Sequence, residues 1–511
     1  MNPTVASDAF FDTLNDSQRE AVEEKSPHLL IVAGPGTGKT HTLVHRIARI
    51  CPDLSAGQQA LAITFTNKAA AEMRERLHKL YASTQQKAFI GTFHSFCWQL
   101  IRRFSFQCGI HKDYQLVDEM VMEEAAKSLW PQLSKKKRKE LLNRISWHKS
   151  VEFEKEGFQE LADYNAHLKE LEYLDYDDVI VTAIKLLEDD PLRQSIQQQY
   201  PFIFVDEYQD INPAQHKLLL HLVGPKSSLT AIGDPLQAIY GFRGSSVKYF
   251  DSFASDFPGA KTAYLADNYR SPKNILSASS QVMAKGDYAI TPLTAQMYAQ
   301  GHLIVHGCAA ERAEAEYVVH TIERLIGGTS LFSHDSLRVE SADVGEFGFD
   351  DIAILYRLNA QVPALLEAFE RSGLPYHIAS KQIEDDVCPS RGGDVTIEAA
   401  KVSLMTLHAA KGLEFPVVFI VGCEENILPL SLEGMSSDIE EERRLFYVGM
   451  TRAKKRLYLT HTKKRTLFGK RMNNPLSRFV EDIEAKLKQY EQAERKFKKK
   501  EERQISLFKD Y

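Results

Sequence analysis

Ala33-Gly34-Pro35-Gly36-Thr37-Gly38-Lys39-Thr40 decides how this chain is read. An apolar run, residues 28–32, leads into it, and a helical pattern, residues 42–50, leads away. Strand, glycine turn and helix in that order make a phosphate-binding loop. The glycines let backbone N–H groups approach phosphate oxygens, and the helix N-terminus faces their negative charge. Lys39 is then placed to reach β- and γ-phosphates, and Thr40 to hold Mg²⁺. Ala33 replaces the first glycine of the pattern, at the end of the strand where a methyl group is tolerated.

Such a loop needs a metal partner and a water activator. Residues 202–207, Phe-Ile-Phe-Val-Asp-Glu, form an apolar strand ending in two carboxylates. Asp206 is expected to take Mg²⁺ through water, and Glu207 to orient or deprotonate the attacking water. No small-molecule kinase motif accompanies them, so hydrolysis is the expected outcome. Positive charge at the γ-phosphate is also required, often from another domain. Arg270 and Arg452 are the candidates.

Further strand-like runs (60–65, 228–232, 352–356, 402–405, 417–421) alternate with longer amphipathic segments. That alternation predicts βαβ units and parallel sheets covered on both faces, in two α/β groups split near residue 265. Residues 107–175 are helical in pattern and charged, with a basic run from Lys135 to Lys139, and are expected to be an inserted helical subdomain. Residues 327–350 are expected to be a loop or extension, and the last thirty or so a solvated helix or tail.

Composition excludes other classes. The 511 residues are enough for about three domains. With 43% hydrophobic and 26% charged residues, the balance is that of a soluble globular protein. No stretch approaches a membrane span, and the N-terminus lacks the pattern of a signal peptide. Six scattered cysteines form no C-x-x-C pair, so a metal cluster or disulfide framework is not expected, and the cytosol is the expected compartment. The net charge of −6 argues weakly against a nucleic-acid partner, but residues 452–478 carry ten Lys/Arg and no Asp or Glu. That segment, together with Lys68, is where phosphate contact is expected.

The ordered motifs extend well beyond one loop. They are LNDSQREAV (14–22), AITFTNKAAAEM (62–73), GTFHSFC (91–97), LDYDD (174–178), VDEYQD (205–210) and IGDPLQAIYGFRG (232–244). NYRS (268–271), IAILYRLNAQ (352–361), VSLMTLHAAKGLEF (402–415) and EERRLFYVGMTRAKKRLYLT (441–460) complete the series. In content and order the chain resembles the UvrD/Rep-like superfamily 1A DNA helicases. The resemblance implies two RecA-like P-loop domains, the first from residues 1–106 and 176–265 and the second from 266–480, with a 1B-like insertion at 107–175. It implies an ATP- and Mg²⁺-dependent enzyme moving 3′→5′ on single-stranded DNA and at single-strand/duplex junctions.

Family roles map onto matching positions. Gln18 resembles the adenine-reading glutamine, Tyr269 the residue stacked on the base, and Gln237 the γ-phosphate sensor. Arg270 and Arg452 match the two arginine fingers, and Glu414 a nucleotide-contacting glutamate. Phe65, Tyr240, Phe242 and Phe468 match base-stacking positions, with Tyr176 another DNA-facing aromatic. Asn67, Lys68, Thr92, His94, Arg243 and His408 match backbone or base contacts. Aromatic platforms plus phosphate contacts are independently the chemistry of sequence-tolerant single-strand binding.

One departure stands out. The family's large 2B accessory subdomain falls where this chain has 25 residues, 377–401, so that subdomain is expected to be absent. The charged tail, 481–511, carries Gln504-Ile505-Ser506-Leu507-Phe508, which resembles peptides that dock on bacterial sliding clamps through Gln504, Leu507 and Phe508. Two other readings stay open: a non-unwinding translocase that strips proteins from single strands, and a nucleotide-switched single-strand-binding module. The oligomeric state is open, a monomer included.

Overall fold

Strands flanked by helices on both faces must be apolar on both sides, and the alternation of their side chains divides them between two cores. In the computed structural model Leu29 and Ile31 face one core while Leu30 faces another, and Ala60 and Ala62 separate from Leu61 and Ile63 in the same way. The structure describes residues 11–80, 87–110, 114–288, 291–297, 300–327, 346–379, 400–432, 435–436 and 438–492.

The first sheet has six strands, in the order Ala88–Thr92, Ala60–Thr64, Phe202–Val205, Ser228–Gly233, His28–Ala33 and Lys261–Leu265. Every neighbouring pair is parallel. The second sheet has seven, in the order Tyr376–Ala379, Val402–Thr406, Ile352–Tyr356, Phe415–Ile420, Ala453–Thr462, His302–Cys308 and Gln489–Gln492, again all parallel. Its interior strand Ile352–Tyr356 alternates likewise: Ala353 and Leu355 enter one core, and Ile352, Ile354 and Tyr356 the other. Two parallel sheets of this kind are the α/β class expected of two RecA-like units.

Between the two halves of the first sheet's chain, helices Glu119–Leu129, Lys135–Val151 and Gln159–Glu170 enclose a small core of their own around Trp130, Ile145, Tyr164 and Leu168. Lys149 anchors this insertion. Its ammonium reaches Asp175 and Asp178, at the start of helix Tyr176–Leu186, at 2.7 Å each, out of solvent.

One expectation is corrected. Residues 481–492 are not a solvated tail, because Ile483 is buried in the second core and Gln489–Gln492 adds a parallel strand beside His302–Cys308. The cations of 452–478 divide: Lys463, Lys464, Lys470 and Arg471 are exposed, whereas others are buried or paired. Arg452 is buried, Lys454 pairs with Glu414, Lys455 and Arg456 with Glu346, Arg465 with Glu314 and Glu424, and Arg478 with Glu425. Segment 328–345, most of the 377–401 link and the Gln504–Phe508 peptide lie outside the described residues. Among those described, no helix is long and apolar enough to cross a membrane.

Arg465 sits at 2.6 Å from Glu314 and 2.7 Å from Glu424, all three almost fully buried, at the base of the hairpin that carries Phe468. Removing the cation strands two buried carboxylates. Arg465→Met is therefore expected to destabilise the second sheet's unit by about 3–5 kcal/mol, read as an early thermal transition by circular dichroism. An unchanged unfolding curve would refute this.

Candidate nucleotide site and nucleic-acid track

The phosphate loop leaves the C-terminal end of His28–Ala33, an interior strand of its sheet, and helix Lys39–Ile50 starts at once behind Gly38. This is where open parallel sheets place their ligands. Gly36 and Gly38 have φ of 68° and 81°, left-handed values that glycine adopts without cost. Space forbids side chains there as well: a Cβ on Gly36 would lie 2.5 Å from the Arg270 Cβ, and one on Gly38 2.6 Å from the Gln18 amide. The loop is thus packed between the first helix and the strand that opens the second half.

Each neighbour holds the loop by its backbone. The buried Gln18 donates from Nε2 to the Thr37 carbonyl at 3.0 Å. Asn268 donates from Nδ2 to the Pro35 carbonyl at 2.5 Å, and the Tyr269 N–H donates to the Gly36 carbonyl at 2.9 Å. Thr37 donates from its hydroxyl to the Gly34 carbonyl. The half-exposed Tyr269 ring stands beside Gln18's helix, its hydroxyl accepting from Asn15 at 2.8 Å. Lys39 folds back onto its own loop, donating to the carbonyls of Ala33 and Gly34 at 3.1 and 3.2 Å. Burial lowers its pKa against the opposing pull of Glu207, Asp234 and Asp206. Thr40 follows it in the first helical turn.

Asp206 and Glu207 follow the strand Phe202–Val205, which is separated from the loop's strand by Ser228–Gly233 alone. Their environments separate them. Burial, reinforced by the adjacent Glu207 charge, raises Asp206 to about 7. Burial would raise Glu207 too, but Lys411, Lys39, the Gln209 amide and Arg452 outweigh it and hold this carboxyl below its ordinary value. Glu207 has φ of 51°, a conformation that costs a non-glycine residue about 1–3 kcal/mol and is kept where the surroundings impose it. The result is an ionised base beside a buried carboxyl in need of a cation.

Gln237 and Asp234 close the wall: Gln237 Nε2 donates to Asp234 Oδ2 at 2.8 Å, and burial raises Asp234. From the second half, Arg452 Nη2 donates to the Gln237 side-chain oxygen at 3.3 Å. Lys411, buried, donates to Asp210 Oδ2 at 2.5 Å and to the Gln237 carbonyl at 2.7 Å. Arg270 Nε donates to Glu414 at 2.7 Å, with Lys454 on the other carboxylate oxygen.

No set of three or more His, Cys, Asp or Glu side chains suited to hold a metal occurs among the described residues. Mg²⁺ needs no such set, since it binds through one or two carboxylates plus substrate phosphates and keeps its waters. The raised pKa of Asp206 fits the same cation.

A row of rings crosses the cleft beside this site. Phe65 stacks on Tyr240 (5.3 Å between centroids, 11° between planes), Tyr240 meets Phe242 edge-on at 6.0 Å, and Phe242 meets His408 of the second half at 5.6 Å and 90°. Phe242 is 59% exposed and Arg243 lies beside it. Tyr240 corrects its expected role as an open stacking face: it is 4% exposed and props its neighbours. Thr92 is likewise occupied, its hydroxyl accepting from the Ser95 N–H as a helix cap. His94 meets Tyr176 edge-on at 5.8 Å, and burial lowers its imidazole to about 4. Asn67 opens helix Asn67–Leu80, with Lys68 exposed after it. Phe468 is exposed at its hairpin tip.

Residues 14–258 match the UvrD/REP helicase N-terminal domain, and residues 263–383 and 390–464 the UvrD-like helicase C-terminal domain. The chain belongs to the UvrD/Rep helicase family. It is similar to the ATP-dependent DNA helicases PcrA of Bacillus subtilis (strain 168), 29% identical across 93% of this chain and 86% of that protein, and of Staphylococcus aureus (strain MRSA252), 28% identical across 93% and 87%. PcrA of Leuconostoc citreum is 27% identical across 93% and 85%.

Two members of this family site were not singled out in the sequence. Asn268 lay within NYRS and Lys411 within HAAKGLEF, but only the fold reveals that one grips the loop and the other bridges to Asp210. Lys411→Met is expected to lower DNA-stimulated ATP turnover at least tenfold. In a double-mutant cycle, Asp210→Asn should add little further loss. Full additivity would refute the bridge.

Proposed function

We propose that this protein is an ATP-dependent DNA helicase and single-strand translocase moving 3′→5′. The observation that carries the reading is continuity: cations from the second half enter the nucleotide wall at Gln237 and Asp210, and the same cleft continues into the Phe65–Tyr240–Phe242–His408 row. Nucleotide occupancy and grip on a strand are therefore mechanically linked.

In this reading the loop N–H groups and Lys39 bind the phosphates, Gln18 and Tyr269 flank the base, and Glu414 orients Arg270 toward the nucleotide. Thr40 and Asp206 would hold Mg²⁺, which when bound neutralises phosphate charge. Glu207, ionised, takes a proton from the attacking water, and Gln237 senses the γ-phosphate. Arg270 and Arg452 stabilise the transferring phosphoryl group. Their loss of that partner after hydrolysis lets the cleft open, while Phe242, Phe65, Phe468 and His408 alternate in holding bases and Asn67, Lys68, Thr92, His94, Tyr176 and Arg243 line the strand's path.

The corresponding division is residues 1–106 and 176–265, the insertion 107–175, and 266–480 extended through the strand Gln489–Gln492. Lack of a 2B subdomain is supported by alignments of about 650 positions with relatives, more than this chain's 511 residues can fill. A motor of this form lacks that subdomain's hold on duplex DNA.

Lys39→Ala or Glu207→Gln is expected to abolish single-strand-stimulated ATP hydrolysis, measured by phosphate release; retained turnover would refute the site. Unwinding of 3′-tailed but not 5′-tailed duplexes checks polarity, and displacement of a bound protein without unwinding would favour the stripping motor. Leu507→Ala/Phe508→Ala should abolish retention on a bacterial sliding clamp in a pull-down if the tail peptide docks there; unchanged retention would end that proposal.

A further inference from the structure

Tryptophan is normally buried, and its exposure beside a ligand track is informative. The chain has three. Trp130 lies in the insertion's small core and Trp98 is half-buried, but Trp147 is 39% exposed and belongs to no core. It sits in the last turn of helix Lys135–Val151, on a face shared with Asn143 and Arg144, both also exposed. The Arg144 guanidinium is supported 3.9 Å above the Phe158 ring.

That helix end meets the ring-bearing turn of the first half. Gly244 follows Phe242 and Arg243 with φ of 82°, and a Cβ on it would lie 2.1 Å from Val151 Cγ2 and 3.9 Å from Trp147 Cζ3. Only a glycine lets the helix come so close. The placement is rigid, because Lys149, two residues on, is tied to Asp175 and Asp178. The exposed indole is thus held against the turn that carries Phe242 and Arg243, with Arg144 one turn behind it on its helix.

We infer that Trp147 is an additional base-stacking platform, contributed by the helical insertion, that takes a nucleobase of the single strand next to the one held at Phe242, with Arg144 facing its phosphate. The inference rests on reading the ring row as a single-strand track. Stacking on an indole tolerates any base, and a cation one helical turn away matches the spacing of base and backbone in a strand. The insertion then grips the strand directly.

The full-length protein and a fluorescently silent thymidine oligonucleotide provide the test. Binding should quench tryptophan emission in the wild type. Trp147→Phe should abolish the quench while keeping affinity within about threefold, and Trp147→Ala should weaken binding roughly 5- to 150-fold, the effect of one stacked base. Phe242→Ala is measured alongside. If Phe242→Ala weakens binding and Trp147→Ala does not, the inference fails and the track stands. If neither matters, the track reading itself fails. Should Trp147→Ala not fold, a quench that persists in Trp147→Phe overturns the inference, and its loss supports it.

Discussion

Four carboxyl groups, Asp206, Glu207, Asp210 and Asp234, crowd the mouth of the first sheet, and most are shielded from water. Like charges in such a place are costly unless cations share it. The first half supplies Lys39. The second supplies Lys411, bonded to Asp210, and Arg452, bonded to Gln237. The acidic mouth is therefore balanced as an ionised unit when both halves meet, and this ties the relative position of the two sheets to the charge state of the nucleotide site. A polyphosphate entering there would change that balance.

Other features follow from keeping this mouth compact. Glu207 is held in a left-handed backbone conformation so that its carboxylate stays beside Gln209 and under the influence of Lys411. Gly36 has no room for a side chain because Arg270 and Asn268 of the second half press on the loop. The ring row begins one residue beyond the strand Ala60–Thr64, and Lys411 lies 5.1 Å from the Tyr240 ring, so the cation that bridges the cleft also touches the rings. The candidate nucleotide site and the ring row thus share a side chain.

Some of this was legible in residue order. Runs buried on both faces, such as Ala60–Thr64 and Ile352–Tyr356, are uniformly apolar and read as strands. Strands that depart from that rule escaped: Lys261–Leu265 is a largely exposed edge, and Ala453–Thr462 opens with Lys454, Lys455 and Arg456, whose charges are met by Glu414 and Glu346. The charged run after residue 481 hid Gln489–Gln492, since an edge strand can pair through its backbone whatever its side chains.

The phosphate loop, its carboxylates and the membership of the family are written in contiguous motifs, because glycine torsions, strand burial and helix starts are local requirements met by neighbouring residues. Which charges are spent and which rings are open is not local. The ten cations of 452–478 look alike in the sequence until folding buries Arg452, Arg456 and Arg465 and leaves Lys463, Lys464, Lys470 and Arg471 exposed, and Tyr240 looks like Phe242 until packing buries one and leaves the other exposed. Pairing and exposure depend on residues distant in the chain, 201 positions for Asp210 and Lys411, so only the tertiary structure could decide them.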